Sequence, residues 1–182
     1  MQKTNQQQTQ VIDFFKLSDQ PYAQACVTIG NFDGVHLGHQ AIIRKMVQKA
    51  RGEKKPVVVI TFFPDPSDFF NPHREAFYLT SPNEKTELLC QLGVDRVLTF
   101  AFTQAFSQLT AQEFLSVIKS KLGMARLVIG RDFALGKGRQ GTLPVIQSLG
   151  EELDFAVEAI GPVKHDGREV SSTKIRLHLS RG

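Results

Sequence analysis

Short apolar runs, rich in β-branched residues, alternate along the chain with segments of helical periodicity. The runs predict strands at Ala25–Ile29, Val57–Phe62, Arg96–Phe100, Arg126–Ile129 and Phe155–Ile160. The segments between them predict helices at Gly38–Ala50, Pro82–Leu92, Ala111–Leu122 and Leu143–Leu153. Strands that alternate with helices form a parallel sheet covered on both faces. The pattern therefore predicts an α/β fold of this kind.

The helix starts and the C-terminal segment add local detail. Ser81-Pro-Asn-Glu84 and Thr110-Ala-Gln-Glu113 each read as a capping box, the first with proline at the opening helical position. His165-Asp-Gly-Arg168 predicts a hairpin with a two-residue turn, and SSTKIR then opens a short helix. Polar and glycine-rich stretches follow the strands, and ligands of parallel sheets bind beyond the carboxyl ends of strands. We therefore expect these junctions to form one site.

Length, composition and charge exclude several classes of protein. A chain of 182 residues suits one domain, predicted for residues 13–182 after a flexible, glutamine-rich leader at 1–12. No apolar run approaches the roughly 20 residues of a membrane span, and the N-terminus lacks a signal peptide's apolar core, so we expect a cytoplasmic protein. The net charge of +4 is dispersed, which argues against nucleic-acid binding. Cys26 and Cys90 lack metal-ligand spacing and read as buried apolar residues.

The stretch GNFDGVHLGH, residues 30–39, follows the first predicted strand. Gly30–Gly34 permits a sharp turn, and the helix after it directs unpaired N–H groups and a positive dipole end at the crevice. His36 and His39 share one face of the first helical turn, and Gly38 leaves room for a close ligand, so the histidines are expected to donate hydrogen bonds to phosphate. A turn with two incidental surface histidines and a zinc site are the alternatives; zinc would need further ligands.

Three other stretches carry candidate binding groups. Thr61–Pro66 either simply ends a strand or, with Phe69 and Phe70 beyond it, borders a flat ring, although both phenylalanines equally suit a core. Gly136–Gly141 matches the letters of a dinucleotide fingerprint but does not directly follow a strand. It is expected to be a mobile loop that presents Lys137 and Arg139 to an anion, or a solvated charged loop.

Near the C-terminus, Ser171, Ser172 and Thr173 stand where hydroxyl groups cap a helix. Arg176 follows one turn later, and its planar guanidinium suits the same anion. This segment is thus a second candidate for phosphate binding.

GNFDGVHLGH resembles the signature of the nucleotidylyltransferase superfamily, whose members share a Rossmann-like, doubly wound parallel sheet, here of about five strands. TFFPDP, GRDFALGKGRQG and VSSTKIR, with LTSPNEKTELLCQLGVD between the first two, resemble the FMN adenylyltransferase module of bacterial FAD synthetases. The resemblance runs from about Cys26 to Arg176. It implies transfer of AMP from ATP to FMN, giving FAD and pyrophosphate, with Mg²⁺ arriving on ATP.

The resemblance also implies roles for individual residues. His36, His39 and Arg176 are the expected catalytic residues, and no protein-borne metal site is expected. The expected nucleotide-binding residues are Gly30, Asn31, Phe32, Asp33, Gly34, Gly38, Gly130, Asp132, Ser171, Ser172 and Thr173. The expected flavin-binding residues are Phe62, Pro64, Asp65, Phe133, Lys137 and Arg139.

Two positions depart from the family pattern. The family usually shows histidine where Asp65 stands and an acidic residue where Arg131 stands. A carboxylate beside phosphates should weaken anion contacts unless Mg²⁺ bridges the two.

The partners that the resemblance implies are small molecules, ATP and FMN, and a fused or separate riboflavin kinase module. No candidate kinase segment follows in this sequence, so we expect that the chain as given does not phosphorylate riboflavin. The alternatives are another nucleotidyltransferase of the superfamily, using CTP or a different acceptor, and a non-catalytic relative that binds nucleotide or flavin.

Overall fold

The computed structural model describes residues 9–19, 22, 24–71, 73, 77–161, 164–165, 168–169 and 172–179. The strands are β1 (Val11–Ile12), β2 (Ala25–Ile29), β3 (Val57–Phe63), β4 (Arg96–Ala101), β5 (Met124–Gly130), β6 (Ala156–Ile160), β7 (Lys164–His165) and β8 (Arg168–Glu169). The α-helices are α1 (Leu37–Gly52), α2 (Pro66–Phe70), α3 (Pro82–Gln91), α4 (Gln104–Ser107), α5 (Ala111–Leu122), α6 (Leu143–Glu152) and α7 (Ser172–Leu179). Short 3-10 turns occupy Phe14–Lys16, Asp33–Val35 and Lys137–Arg139.

The main sheet has six parallel strands in the order β1-β4-β3-β2-β5-β6. From β2 near the centre the chain adds β3 and β4 on one side and then β5 and β6 on the other. This is the doubly wound arrangement, in which ligands bind at the carboxyl ends of strands where the winding reverses. In this sheet that point lies between β2 and β5.

The predicted α/β fold is confirmed, and the five predicted strands and four predicted helices each lie within two residues of their observed bounds. Both capping boxes are present, at Ser81 with Glu84 and at Thr110 with Glu113. β7 and β8 pair antiparallel with His165 opposite Arg168, as the hairpin pattern predicts. In the described part of the chain, no helix combines the length and the apolar character needed to cross a bilayer.

The sixth strand corrects the predicted leader. Val11 and Ile12 pair with Thr99 and Phe100 of β4, so the fold begins within the residues assigned to the leader. Phe14, which follows them, is 4% exposed and lies at the centre of several aromatic contacts. A strand of two residues carries too little periodicity to be recognised beside a run of glutamines.

The sheet separates two apolar cores because successive side chains along a strand point to opposite faces. One core packs α5 and α6 against Val27, and the other packs α1 and α3 against Cys26. All five residues of β2 are buried, as expected for a central strand of a sheet covered on both sides. Cys26 is buried as predicted, whereas Cys90 is exposed, because it lies on the outer face of α3.

Candidate active site

A cavity of about 740 Å³ opens at the carboxyl edge of the sheet, where the winding reverses. Its walls come from the segments that follow β2, β3, β4 and β5 and from α7. His36, His39 and Arg176, the three expected catalytic residues, all line it. His36 and Arg176, which are 140 positions apart in sequence, therefore line the same cavity. This agrees with the expectation that the junctions form one site.

The turn between β2 and α1 has an unusual backbone. Phe32, Gly34 and Val35 have φ angles of 48°, 73° and 37°, the left-handed region that non-glycine residues rarely adopt. A Cβ atom on Gly34 would lie 2.8 Å from Leu79 Cδ1, so both the angle and the space require glycine. Strained backbone of this kind persists where the surroundings hold it in place.

Asp33 supplies much of that restraint. Its buried carboxylate accepts hydrogen bonds from the backbone N–H groups of Leu79, at 3.0 Å, and Thr80, at 3.2 Å. It also pairs with Arg176, whose Nη2 lies 2.6 Å from Asp33 Oδ2, and the Ser172 hydroxyl donates to the Asp33 carbonyl at 3.1 Å. Asp33 thus joins the first junction to the segment before α3 and to α7.

The two histidines stack on each other, with ring centroids 3.7 Å apart. The His39 backbone N–H donates to His36 Nδ1 at 3.4 Å, which caps α1 and leaves the proton of a neutral His36 ring on Nε2. Burial lowers the pKa of His36, partly offset by Asp33. Burial first, and then the neighbouring His36, lower the pKa of His39 to about 3. Both rings are therefore neutral N–H donors near pH 7.

Arg176 lies between two carboxylates. Its Nη2 is 2.6 Å from Asp33 and 4.0 Å from Asp65, while its buried Nε has no hydrogen-bond partner among the described residues. Asp65, which is 5% exposed, also caps α2 by accepting from the Ser67 N–H and hydroxyl at 2.8 and 2.7 Å. Asp65, which stands where the family usually has histidine, thus caps α2 and provides a second counter-charge to Arg176. Arg131, the other departure, is exposed and does not line the cavity.

Another part of the cavity wall is aromatic. Phe62 contacts Phe102 and Phe106, with ring centroids 5.8 and 5.5 Å apart, and Phe106 contacts Phe114 at 5.8 Å. Phe133 also lines this part, together with Leu109 and Leu135. We call this wall, formed by Phe62, Phe102, Phe106, Leu109, Phe114, Phe133 and Leu135, the aromatic lobe. We call the part formed by Asp33, His36, His39, Asp65, Ser172 and Arg176 the polar lobe.

The structure brings four of the remaining expected site residues to the cavity wall. Gly30, Asn31, Asp132 and Arg139 line it in addition to those already placed. Phe32, Gly34, Gly38 and Gly130 belong to the same junctions without lining it. Ser171 lies outside the described residues, and of Thr173 only its place in α7 is described.

Pro64 and Lys137 are expected flavin-binding residues that do not line the cavity. Pro64 falls between the end of β3 and the cap of α2. The loop that carries Lys137 is fastened rather than free, because Leu135 and Gly141 pair and the Lys137 N–H donates to the Leu109 carbonyl at 2.7 Å. Residues 137–139 form a 3-10 turn, and of residues 136–141 only Gly136 and Arg139 line the cavity.

Sequence reasoning missed part of the aromatic lobe: Phe102, Phe106, Leu109, Phe114 and Leu135. The first three follow β4, whose carboxyl end offers no glycine or histidine to mark it. The available signal was the density of phenylalanine just beyond a strand that neighbours the site.

Comparison with known proteins identifies the family to which this chain belongs. A sequence model described as FAD synthetase matches residues 18–174. The chain belongs to the FAD synthetase family. Other family members include the bifunctional riboflavin kinase/FMN adenylyltransferase of Escherichia coli strain K12, 37% identical over 90% of this chain and 53% of that protein. The protein of the same name from Pseudomonas fluorescens is 40% identical over 88% of this chain and 52% of its own length.

Two further relatives extend the comparison. The FAD synthetase of Listeria monocytogenes is 31% identical over 87% of this chain and 64% of its own length. A crystal structure described as a macrolide-efflux protein from Streptococcus pneumoniae has a TM-score of 0.78 and 28% identity, covering 93% of this chain and 55% of that one. The chain spans about half the length of the bifunctional relatives that it matches.

Proposed function

We propose that this chain is an FMN adenylyltransferase, which transfers AMP from ATP to FMN and releases pyrophosphate. The observation that carries the proposal is that one cavity combines a polar lobe, which contains four donor side chains, with an aromatic lobe suited to a flat ring. Membership of the FAD synthetase family supports the same reaction. The cavity volume of about 740 Å³ lies within the usual range of small-molecule sites.

The polar lobe is proposed to bind the phosphates. The FMN phosphate is already an oxyanion at neutral pH, so the reaction needs no general base, and the task is to bring two anions together in line. The Nε2–H of His36 and the neutral ring of His39 would donate to oxygens that gain charge at the α-phosphoryl group. Ser172, Thr173 and Arg176 would hold the pyrophosphate end, and Arg176 would exchange part of its contact with Asp33 and Asp65 for phosphate.

The aromatic lobe is proposed to hold the isoalloxazine ring, because edge and face contacts with phenylalanine suit a large flat ring. Phe62 and Phe133 would border it, with Arg139 near the ring's polar substituents. Gly30 and Asn31 would admit the nucleotide beside β2, and Asp132 would line its edge.

Mg²⁺ is proposed to enter with ATP. Among the described residues, no group of three or more histidine, cysteine or acidic side chains could hold a metal ion, and Asp33 is engaged by protein donors. This donor set fits Mg²⁺ bound mainly by phosphates and water, with at most one or two carboxylates such as Asp65. When bound, Mg²⁺ neutralises charge on the leaving pyrophosphate. The proposed location is the cytoplasm, where ATP is available.

The test is incubation with ATP, Mg²⁺ and FMN, followed by chromatographic detection of FAD and assay of pyrophosphate. FAD and pyrophosphate in equal amounts are expected. A panel with CTP, phosphopantetheine and glycerol phosphate distinguishes another transferase of the superfamily, which would prefer one of these.

A non-catalytic nucleotide- or flavin-binding protein is the second candidate, and the engagement of Arg176 by two carboxylates favours it. It would bind ATP or FMN in calorimetry without releasing pyrophosphate. That result would overturn the proposed activity.

A further inference from the structure

Lys85 is a buried charge that the proposed mechanism does not use. It lies in the first turn and a half of α3, is 5% exposed and does not line the cavity. A buried ammonium group costs free energy unless hydrogen bonds and opposite charges compensate it. A lysine in this position therefore needs an explanation.

The Lys85 ammonium group is directed at one backbone carbonyl. Its Nζ donates to Asn31 O at 2.8 Å and to Thr61 Oγ1 at 3.2 Å. The Thr61 hydroxyl in turn donates to the same Asn31 carbonyl at 2.9 Å. A carbonyl oxygen has two lone pairs, so this arrangement occupies both.

This carbonyl belongs to the strained turn between β2 and α1. Asn31 lines the cavity and directly precedes Phe32, whose φ of 48° begins the left-handed stretch. If the Asn31 peptide turned over, its carbonyl oxygen would enter a site expected to bind phosphate, where its negative end would repel the ligand. In a trans peptide the N–H and C=O point in opposite directions, so holding the carbonyl on Lys85 aims the Phe32 N–H the other way.

The charges around Lys85 also favour an ammonium group at the position that holds the Asn31 carbonyl. Asp33 and Asp65 favour its charged form electrostatically, while burial lowers its pKa. These are the two carboxylates that engage Arg176. Lys85 and Arg176 thus balance two buried acids from different elements of the structure, and Lys85 does so from behind the turn.

We propose that Lys85 is a positioning residue, which with Thr61 fixes the Asn31–Phe32 peptide so that the turn presents N–H groups, not a carbonyl, to the nucleotide phosphates. The proposal rests on the proposed function for the identity of the ligand. Lys85 itself does not touch the substrate, and its effect passes through the backbone of residues 31–35.

The test compares Lys85→Met, Lys85→Arg and Thr61→Val with the unaltered chain in FAD formation. A misplacement of this kind costs on the order of 100-fold, so Lys85→Met is expected to lower kcat by about that factor, with less than a threefold change in the KM for FMN. Lys121→Met, which alters a lysine of α5 paired with Asp19, is the matched control and should keep its kcat.

The double variant Thr61→Val with Lys85→Met tests whether the two residues act through the same group, the Asn31 carbonyl. If both residues act through Asn31, the two losses in kcat are less than multiplicative. A merely structural role would give independent losses of stability and an unchanged kcat in the folded fraction. Multiplicative losses, or a Lys85→Met kcat within threefold of the unaltered chain, would overturn the proposal.

The pH profile gives a second readout. The unaltered chain is expected to lose kcat at alkaline pH as Lys85 loses its proton, and Lys85→Arg should keep its activity to higher pH because guanidinium stays charged. Asp33 and Asp65 are the carboxylates that act electrostatically on Lys85, and the Lys85 charge in turn helps to lower the pKa of His39. Identical alkaline limbs in the two proteins would count against the proposal.

Two results would prevent the rate comparison: a Lys85→Met variant that does not fold, and an unaltered chain that makes no FAD. If Lys85→Met does not fold, Thr61→Val carries the test, with an expected loss in kcat of about fivefold. If the unaltered chain makes no FAD, the proposed function fails, and calorimetry with Mg·ATP replaces the rate assay. Lys85→Met should then bind Mg·ATP at least tenfold more weakly than the Lys121→Met control, and equal affinity would overturn the proposal.

Discussion

The polar and aromatic lobes share one cavity but are built in different ways. The polar lobe depends on the short segment 30–39, on Asp65 and on two residues of α7, which are joined through buried charges with defined hydrogen-bond partners. The aromatic lobe takes its rings from β3, the β4–α4 segment, α5 and the loop after β5, and these rings also belong to or pack against the core. Charged partners fix the first lobe, and packing fixes the second. Substitutions in the two lobes should therefore affect different measurements.

The largest expected effect is that of His39→Ala in the polar lobe. Removing one preorganised donor costs on the order of 100- to 1000-fold in kcat, and the variant should keep its fold. Steady-state FAD formation measures kcat, and circular dichroism shows whether the fold is kept. His178→Ala, at an exposed position of α7, is the matched control. A His39→Ala variant with near-normal kcat would remove the catalytic role from this residue.

Asp33→Asn tests whether charge holds the polar lobe together. Breaking a buried ion pair by removing one partner costs about 3 kcal/mol, and here the substitution leaves Arg176 without its nearer counter-charge. The free energy of unfolding from urea titration should fall by about that amount. A loss below about 1 kcal/mol would mean that Asp65 or solvent replaces Asp33 as the partner.

Acid should weaken the polar lobe through His39. Its pKa is about 3 in the folded chain against an ordinary 6.5, so below pH 6.5 the unfolded chain binds a proton that the folded chain does not. Stability present above pH 6.5 is therefore lost as the pH falls, by roughly 2 kcal/mol at pH 5. Urea titrations at pH 7 and pH 5 should show this loss, and His39→Gln should lose less. Equal losses in the two proteins would contradict the assignment.

Phe133→Ala should separate the aromatic lobe from the polar one. Loss of a ring contact with flavin is expected to raise the KM for FMN about tenfold and to leave the KM for ATP unchanged. Phe77→Ala removes an exposed phenylalanine that does not line the cavity and is the matched control. A rise in the KM for ATP alone would assign adenine, not flavin, to this lobe.

The smallest expected effect is that of Asp65→Asn. Asparagine can still cap α2, but it removes a carboxylate that faces Arg176, so the arginine is freer to bind phosphate. The KM for ATP is expected to fall about threefold. Asp154→Asn, at a fully exposed side chain, is the control. A rise in the KM for ATP would indicate that Asp65 helps to hold Mg²⁺.

The two lobes also differ in how well the sequence predicts them. His36, His39 and Arg176 are polar residues in glycine- or hydroxyl-rich motifs that stand out in the sequence. They meet at the carboxyl ends of the parallel strands, which is where ligand sites form in sheets of this kind. Phe106 and Phe114 look like ordinary core residues, and nothing local indicates that one side of each ring borders a cavity. Nothing local in the sequence marks Lys85 as buried, because its partners Asn31 and Thr61 are distant in sequence. Local sequence patterns predict individual helices and strands, whereas the burial of a side chain depends on which distant segments pack against it.

The pairing of Asp33 with Arg176 has a consequence for biosynthesis. The two residues are separated by 143 positions, and α7 supplies both the Ser172 hydroxyl and the guanidinium that reach residue 33. On the ribosome the first junction emerges long before its partner, so most of the sheet can form around an acidic group that still faces water. The cavity acquires its final charge balance only when translation has passed α7, which ties competence for nucleotide to the synthesis of that helix.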